Sequence, residues 1–206
     1  MSGYRCPIDV SIKPLRSLRL KITDRCPWNC WFCHNEGTGK RDPSRTKDIY
    51  WDSEFEQVLV ELKSVLSLNE VHLTGGEPTT NPNIANLITG IKFHGLDVKA
   101  TTIGCSYSVL KPILDAGISG LNFSLHSIDS DELLKTQVDR KIEWMRKQLK
   151  QQMQAILIAK ENSVKVKINT VISSDNDISR IIKIIQWANS HQIPIRVMNE
   201  LNSGNQ

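Results

Sequence analysis

Three cysteines and a histidine crowd into one short run of this chain, CPWNCWFCHNEG at 26–37. Thiolates and imidazoles at such spacing are metal ligands before anything else, and the run admits three kinds of site. Cys30 to His34 is a C-x-x-C-H, the attachment pattern of covalently bound haem. Cys26, Cys30, Cys33 and His34 together make a Cys3His set of the sort that closes around zinc. The cysteines alone, C-x3-C-x2-C, can hold three irons of a 4Fe–4S cube and leave the fourth open. Covalent haem needs an export route or dedicated machinery, and the opening MSGYRCPIDVSIKPLRSLRL lacks the apolar core of a secretory signal. Structural zinc usually joins two separated ligand pairs, whereas here the ligands are bunched. An open iron is what a reaction at the metal requires, so the cluster reading accounts for most. Trp28, Trp31 and Phe32 either shield such a cube from water or pack in the core. Cys6 and Cys105 have no ligand spacing and read as small buried hydrophobes.

Holding that run in place needs a scaffold, and two periodicities alternate along the chain. Residues 18–22 alternate apolar and polar, as a half-buried strand does. Phe55, Val58, Leu59, Leu62 and Val65 recur three and four apart, predicting a helix over 52–67 capped by Asp52 or Ser53. Further strands are predicted at 70–74, 96–101, 120–125, 164–172 and 193–198. Helices carry Ile84 to Ile91, Val109 to Leu114, one long stretch over 131–160, and Ile178 to Ala188. Strand–helix alternation implies a parallel sheet with helices outside. Too few units are present for a closed eightfold barrel. The expected fold is therefore α/β, an open partial (β/α)6 barrel of the TIM type. It forms a single domain over 1–206, with an N-terminal extension at 1–15 and the barrel over 16–201. The polar loop 34–51 is too long for a simple connector and reads as functional or mobile.

Composition sets the bounds. With 206 residues, 39% hydrophobic and 23% charged, the chain reads as an ordinary globular protein. Its net charge of +4 is a mild bias that suits a phosphorylated substrate, with no Lys/Arg block arguing for DNA. No apolar run is long enough to span a bilayer. A cytoplasmic protein without a membrane partner is expected.

In folds of this class the ligand lies at the carboxyl ends of the strands. There the motifs gather: the cysteines after the first strand and Gly75-Gly76-Glu77-Pro78 after the second. Thr101 to Gly104 follow the third, and Ser124 to Ser127 end the fourth. Asn169 and Thr170 lie late in the fifth, and Asn199 and Glu200 end the sixth. One mouth, and a single ligand site, is expected.

C-x3-C-x2-C after a first strand with GGEP after a second resembles the radical S-adenosylmethionine (SAM) superfamily, over about Arg16 to Leu201. Within it, LRLKITDRC, LTGGEPTT, FSLHS, KINTVI and RVMNEL look most like the GTP 3′,8-cyclase branch. The resemblance implies that Cys26, Cys30 and Cys33 hold three irons of a 4Fe–4S cluster, and that SAM chelates the fourth. It places Gly75, Gly76, Glu77 and Pro78 near the methionine amino group, and the Phe32 backbone and Leu201 against adenine. Ser124 is a further SAM contact, and Thr102 and Asn169 join the cofactor-binding set. Arg19 and Lys167 match substrate contacts of the cyclase, with Thr102 close to a third. His72 stands where the cyclase pattern has arginine. The cyclase's second, C-terminal cysteine triad has no counterpart up to Gln206, which points away from the cyclase itself. His34 remains open between a loop or substrate contact and a solvated residue. His126, where the family often has an acid, is a substrate contact, a proton donor or a hydrogen-bonded structural residue.

The implied chemistry is one-electron cleavage of SAM to methionine and a 5′-deoxyadenosyl radical, which abstracts hydrogen from a substrate. A small molecule of nucleotide, nucleoside or sugar-like kind is the expected substrate. A reductase, flavodoxin or ferredoxin is the expected electron donor. A peptide-modifying enzyme or activase is the alternative within the class. A non-catalytic metal-binding scaffold is the alternative outside it, though such a protein has no use for GGEP.

Overall fold

The computed structural model describes residues 16–33 and 47–200. His34, Leu201 and Cys6, the extension at 1–15 and most of the 34–51 loop lie outside the described residues.

Six strands form one all-parallel sheet in the order β1-β2-β3-β4-β5-β6. They are β1 (Ser17–Lys21), β2 (Glu70–Thr74), β3 (Asp97–Thr102), β4 (Gly120–Ser124), β5 (Lys165–Ile172) and β6 (Ile195–Asn199). The helices between them are α1 (Ser53–Leu66), α2 (Ile84–Phe93), α3 (Tyr107–Asp115), α4 (Ser130–Leu134), α5 (Ile142–Glu161) and α6 (Ile178–Ser190). β1 pairs with β2 and β6 with β5, so among the described residues the sheet stays open. Asp52 is the cap of α1, its side chain accepting from the Phe55 amide at 2.8 Å.

Strands of a parallel sheet covered on both faces read as continuous apolar runs. These alternate instead, because their two faces meet different surroundings. Val71 and Leu73, Val98 and Ala100, Leu121 and Phe123, and Ile168 are buried in the core. The same core takes in Leu87, Ile88 and Ile91 of α2, Leu110 and Ile113 of α3, Met145 and Ile156 of α5, and Ile184 of α6. The intervening strand residues line a polar cavity on the inner face.

One predicted element is corrected. The helix expected over 131–160 is two, α4 and α5, separated by 135–141. Asp129 caps α4, accepting from the Asp131 and Glu132 amides. After one turn the chain leaves the helix because its backbone finds partners elsewhere. The Trp31 amide donates to the Thr136 carbonyl at 3.2 Å, and the Val138 amide to the Asn29 carbonyl at 2.8 Å. Asp139, at a φ of 55°, completes the departure.

Candidate functional site

The cysteines sit on the loop leaving β1, and the GGEP turn leaving β2 is zipped to that loop. The Gly76 amide donates to the Thr23 carbonyl at 2.9 Å and the Glu77 amide to the Arg25 carbonyl at 2.7 Å. A Cβ on Gly75 would stand 2.3 Å from the Thr23 oxygen, and one on Gly76 2.3 Å from the Arg25 oxygen. The two glycines are thus required by the chain's own loop, with Gly75 also at a φ of +137°. Buried Asn81, overlooked in the sequence, donates to the carbonyls of Ile22 and Ile49 at 2.8 and 2.9 Å. Asp48 accepts from the Thr23 hydroxyl at 2.7 Å and pairs with Arg25. The root of the cysteine loop is therefore held from both sides.

Its tip is held by the segment that interrupts the predicted helix. Cys30 and Gln137 form an antiparallel bridge. The Gln137 side chain accepts from the Asn29 amide at 3.0 Å and donates to the Cys30 sulfur at 3.1 Å. Arg140 donates to the Pro27 carbonyl at 2.6 Å and lies over the Trp144 ring. Trp28 is buried edge to face with Trp144, whereas Trp31 is half exposed. Core packing is thus the place of Trp28. Cys26 and Cys30 are half-buried and Cys33 is exposed.

Glu77 is turned inward. Its Oε1 accepts from the Thr79 amide and hydroxyl and from the Thr102 hydroxyl at 2.6 Å, and its Oε2 from the Ile103 amide at 2.7 Å. Burial pushes its carboxyl above the usual range, against the pull of those donors. Thr102 in turn accepts from the Gly104 amide at 2.9 Å. Glu77 and Thr102 thereby tie the ends of β2 and β3 together, with Pro78 buried at the start of the next turn. Cys105 stands by this cluster, its thiol pushed up to about 12 by burial and by the Glu77 charge. A thiol so held is a poor metal ligand.

At the end of β4, the ring of His126 meets that of Phe32 edge to face. His126 is buried, and its Nδ1 has no hydrogen-bond partner among the described residues. Burial, then the Arg180 charge, lowers its pKa to about 4, so the ring is neutral near pH 7. Buried Arg180 on α6 donates to the carbonyls of His126 and Val171 and pairs with Asp177. A lone arginine among the isoleucines of α6 was the only sequence signal for it.

On the inner face a cavity of about 600 Å³ is lined from all six strands. It brings together Arg19, His72 and Lys167, the expected substrate contacts, with Ser124 and Asn169. Lys99, Lys165 and Arg196, not singled out in the sequence, add three cations against one carboxylate, Glu70, which pairs with Lys99. Lys165, Lys167 and Arg196 make no ion pair among the described residues. The His72 ring meets the Thr101 hydroxyl at 2.8 Å, and burial, then the Arg19 charge, lowers its pKa. Ser124 and Asn169 are in register at the carboxyl end, where the buried Asn169 Oδ1 lacks a hydrogen-bond partner among the described residues. Thr102 and Glu77, by contrast, are engaged away from this space.

Fold and site together define an open (β/α)6 partial barrel bearing a cysteine-triad loop at its mouth. The sequence profile of the radical SAM superfamily matches residues 20–188, and the chain belongs to that superfamily. It is 34% identical over 171 residues to a probable GTP 3′,8-cyclase of Thermococcus kodakarensis, covering 80% of this chain and 50% of that one. To the GTP 3′,8-cyclase of Aquifex aeolicus it is 28% identical over 200 residues, covering 96% and 60%. The chain thus spans about half the length of the curated relatives it matches. Among solved structures, SuiB of Streptococcus suis bound to S-adenosylmethionine superposes with a TM-score of 0.71 at 19% identity, over 92% of this chain and 42% of that one. Methylornithine synthase superposes at 0.67 and 20% identity, over 90% and 53%. These likenesses establish the partial-barrel fold.

Membership brings a 4Fe–4S cluster and SAM, and the residues present fit both. The donor set is three soft thiols on one braced loop. The orphaned Asn169 oxygen beside Ser124 calls for a donor, such as an ammonium or hydroxyl group supplies.

Proposed function

We propose that this chain is a radical SAM catalytic core acting on an anionic small molecule held within the barrel. A phosphorylated nucleotide or sugar best suits the cavity. Cys26, Cys30 and Cys33 hold the cluster, and the mouth between Phe32, the GGEP turn and Ser124 receives SAM. When bound, cluster and SAM supply a 5′-deoxyadenosyl radical for hydrogen abstraction, with one electron from a flavodoxin-, ferredoxin- or reductase-type donor. The protein's own part is placement and exclusion of water, served by the braced loop.

The observation that carries the reading is the charge of the cavity: Arg19, Lys99, Lys165, Lys167 and Arg196 face one carboxylate. A peptide backbone has no use for so many cations, whereas phosphate oxygens do. Among the described residues no helix is long and apolar enough to cross a membrane.

Anaerobic reconstitution with iron and sulfide, reduction in the presence of SAM, and assay for 5′-deoxyadenosine test the chemistry. Adding nucleoside phosphates, sugar phosphates or peptides in turn tests the substrate. Product formation stimulated by a phosphorylated compound is expected. A colourless protein that retains zinc and yields no 5′-deoxyadenosine overturns the radical reading. Stimulation by peptides alone overturns the substrate assignment.

A further inference from the structure

We infer that Gln137 is a positioning residue for the cluster, donating a hydrogen bond to the Cys30 thiolate and raising the cluster's reduction potential. The inference rests on the cluster that family membership brings, and it concerns a residue outside the cysteine motif, on a segment more than a hundred positions away.

The orientation of the Gln137 amide is set by its neighbours. Oε1 accepts from the Asn29 backbone amide at 3.0 Å, so the other end must carry the hydrogens. That Nε2 stands 3.1 Å from the Cys30 sulfur, 3.2 Å from the Thr136 carbonyl and 3.0 Å from the Thr136 hydroxyl oxygen. Two hydrogens therefore serve three acceptors, one of them the sulfur. The Thr136 hydroxyl is itself committed as a donor to the Leu133 carbonyl at 2.7 Å, which leaves its lone pairs facing Gln137. Backbone pairing of Thr136 with Trp31 and of Val138 with Asn29 holds Gln137 beside Cys30 from both sides. The amide is thus preorganised toward the sulfur.

Reduction adds one electron, and the negative charge is shared with the ligand sulfurs. An N–H dipole aimed at one of them stabilises the reduced state more than the oxidised one, and so raises the potential. Cleaving SAM needs a strongly reducing cluster, so Gln137 would moderate the demand placed on the electron donor.

Gln137→Glu separates the two roles of the side chain. It keeps an oxygen for the Asn29 amide but replaces the donor by a carboxylate. Gln137→Leu removes both. Arg140→Met loosens the same segment at Pro27 without touching a cysteine. Each reconstituted full-length variant is titrated potentiometrically with detection of the reduced cluster by electron paramagnetic resonance, and its iron is counted. The expected result is an iron-replete Gln137→Glu whose equilibrium constant for reduction falls at least tenfold, or about 59 mV for one electron. Gln137→Leu shifts the same way by less, and Arg140→Met stays near the parent. Midpoints unchanged in both Gln137 variants overturn the inference. So does a shift in Arg140→Met as large as theirs, which would assign the effect to the segment rather than to the bond. A parent protein that takes up no cluster refutes the family cofactor assignment instead, and is read from the iron count before any titration.

Discussion

Phe32 and His126 meet edge to face, their ring centroids 4.9 Å apart at 75°. One belongs to the cysteine loop and the other to the end of β4, so the contact joins that loop to the sheet. It also explains why a histidine is tolerated there: the ring acts as a buried aromatic with one nitrogen left over.

Because burial and Arg180 hold that ring to about 4, against 6.5 in the unfolded chain, His126 makes stability fall with acidification. The contribution is complete above 6.5, where both states are neutral, and is lost as pH drops toward 4. Urea unfolding at about pH 7.5 and about pH 5 should show His126→Phe losing roughly 2 kcal/mol less than the parent between the two.

Glu77 works with the opposite sign. Its folded pKa lies above 4.5, so the native state resists ionisation and stability falls as pH rises from 4.5 through the folded value. Thr102→Val removes a donor to this carboxylate and the acceptor of the Gly104 amide. The variant should lose about 2–3 kcal/mol at neutral pH, as for a hydrogen bond to a charged group. Its decline with rising pH should also be steeper in the same urea titrations.

Gly76→Ala places a methyl 2.3 Å from the Arg25 carbonyl oxygen and 2.8 Å from that of Asp24. Backbone atoms cannot step aside as a side chain can, so about 1–3 kcal/mol should be lost, together with cluster uptake on reconstitution. Gly95→Ala, where the nearest atom is the Lys63 Nζ at 3.8 Å, bears only the cost of its positive φ and should reconstitute normally.

Lys167→Ala and Arg196→Ala should each weaken pyrophosphate or nucleoside triphosphate binding about tenfold by calorimetry, near 1.4 kcal/mol. Binding by the parent should fall with added salt. Lys111→Ala on α3, paired with Asp115 away from the cavity, should change nothing. Equal losses in all three variants would mean nonspecific attraction.

Where local pattern suffices, the residues foretold their places. Periodicity located every strand, and Leu87, Ile88 and Ile91 marked the buried face of α2. The cysteine run and GGEP were expected after the first two strands, and they leave β1 and β2 side by side. What escaped depends on partners distant in sequence. Nothing local shows that Thr136 and Val138 abandon a helix to pair with Asn29 and Trp31, although two β-branched residues close together are a weak sign. Nor does a carboxylate in a motif show which way it faces, and Glu77 turned toward Thr102. Lys99, Lys165 and Arg196 carry no local signal of a site, and only strand register puts them on the face shared with Arg19 and Lys167.

The brace on the cysteine loop reaches back 107 residues from Gln137 to Cys30 and 109 from Val138 to Asn29. During synthesis the three thiols emerge long before the segment that fastens them, so a nascent chain presents an unfastened loop through the making of β2, β3 and β4. Closing so long a loop is also entropically slow compared with forming a helix. The contacts that fasten the loop can form only once residues 136–138 have been made. Timing, as much as affinity, is written into the placement of that short break between two helices.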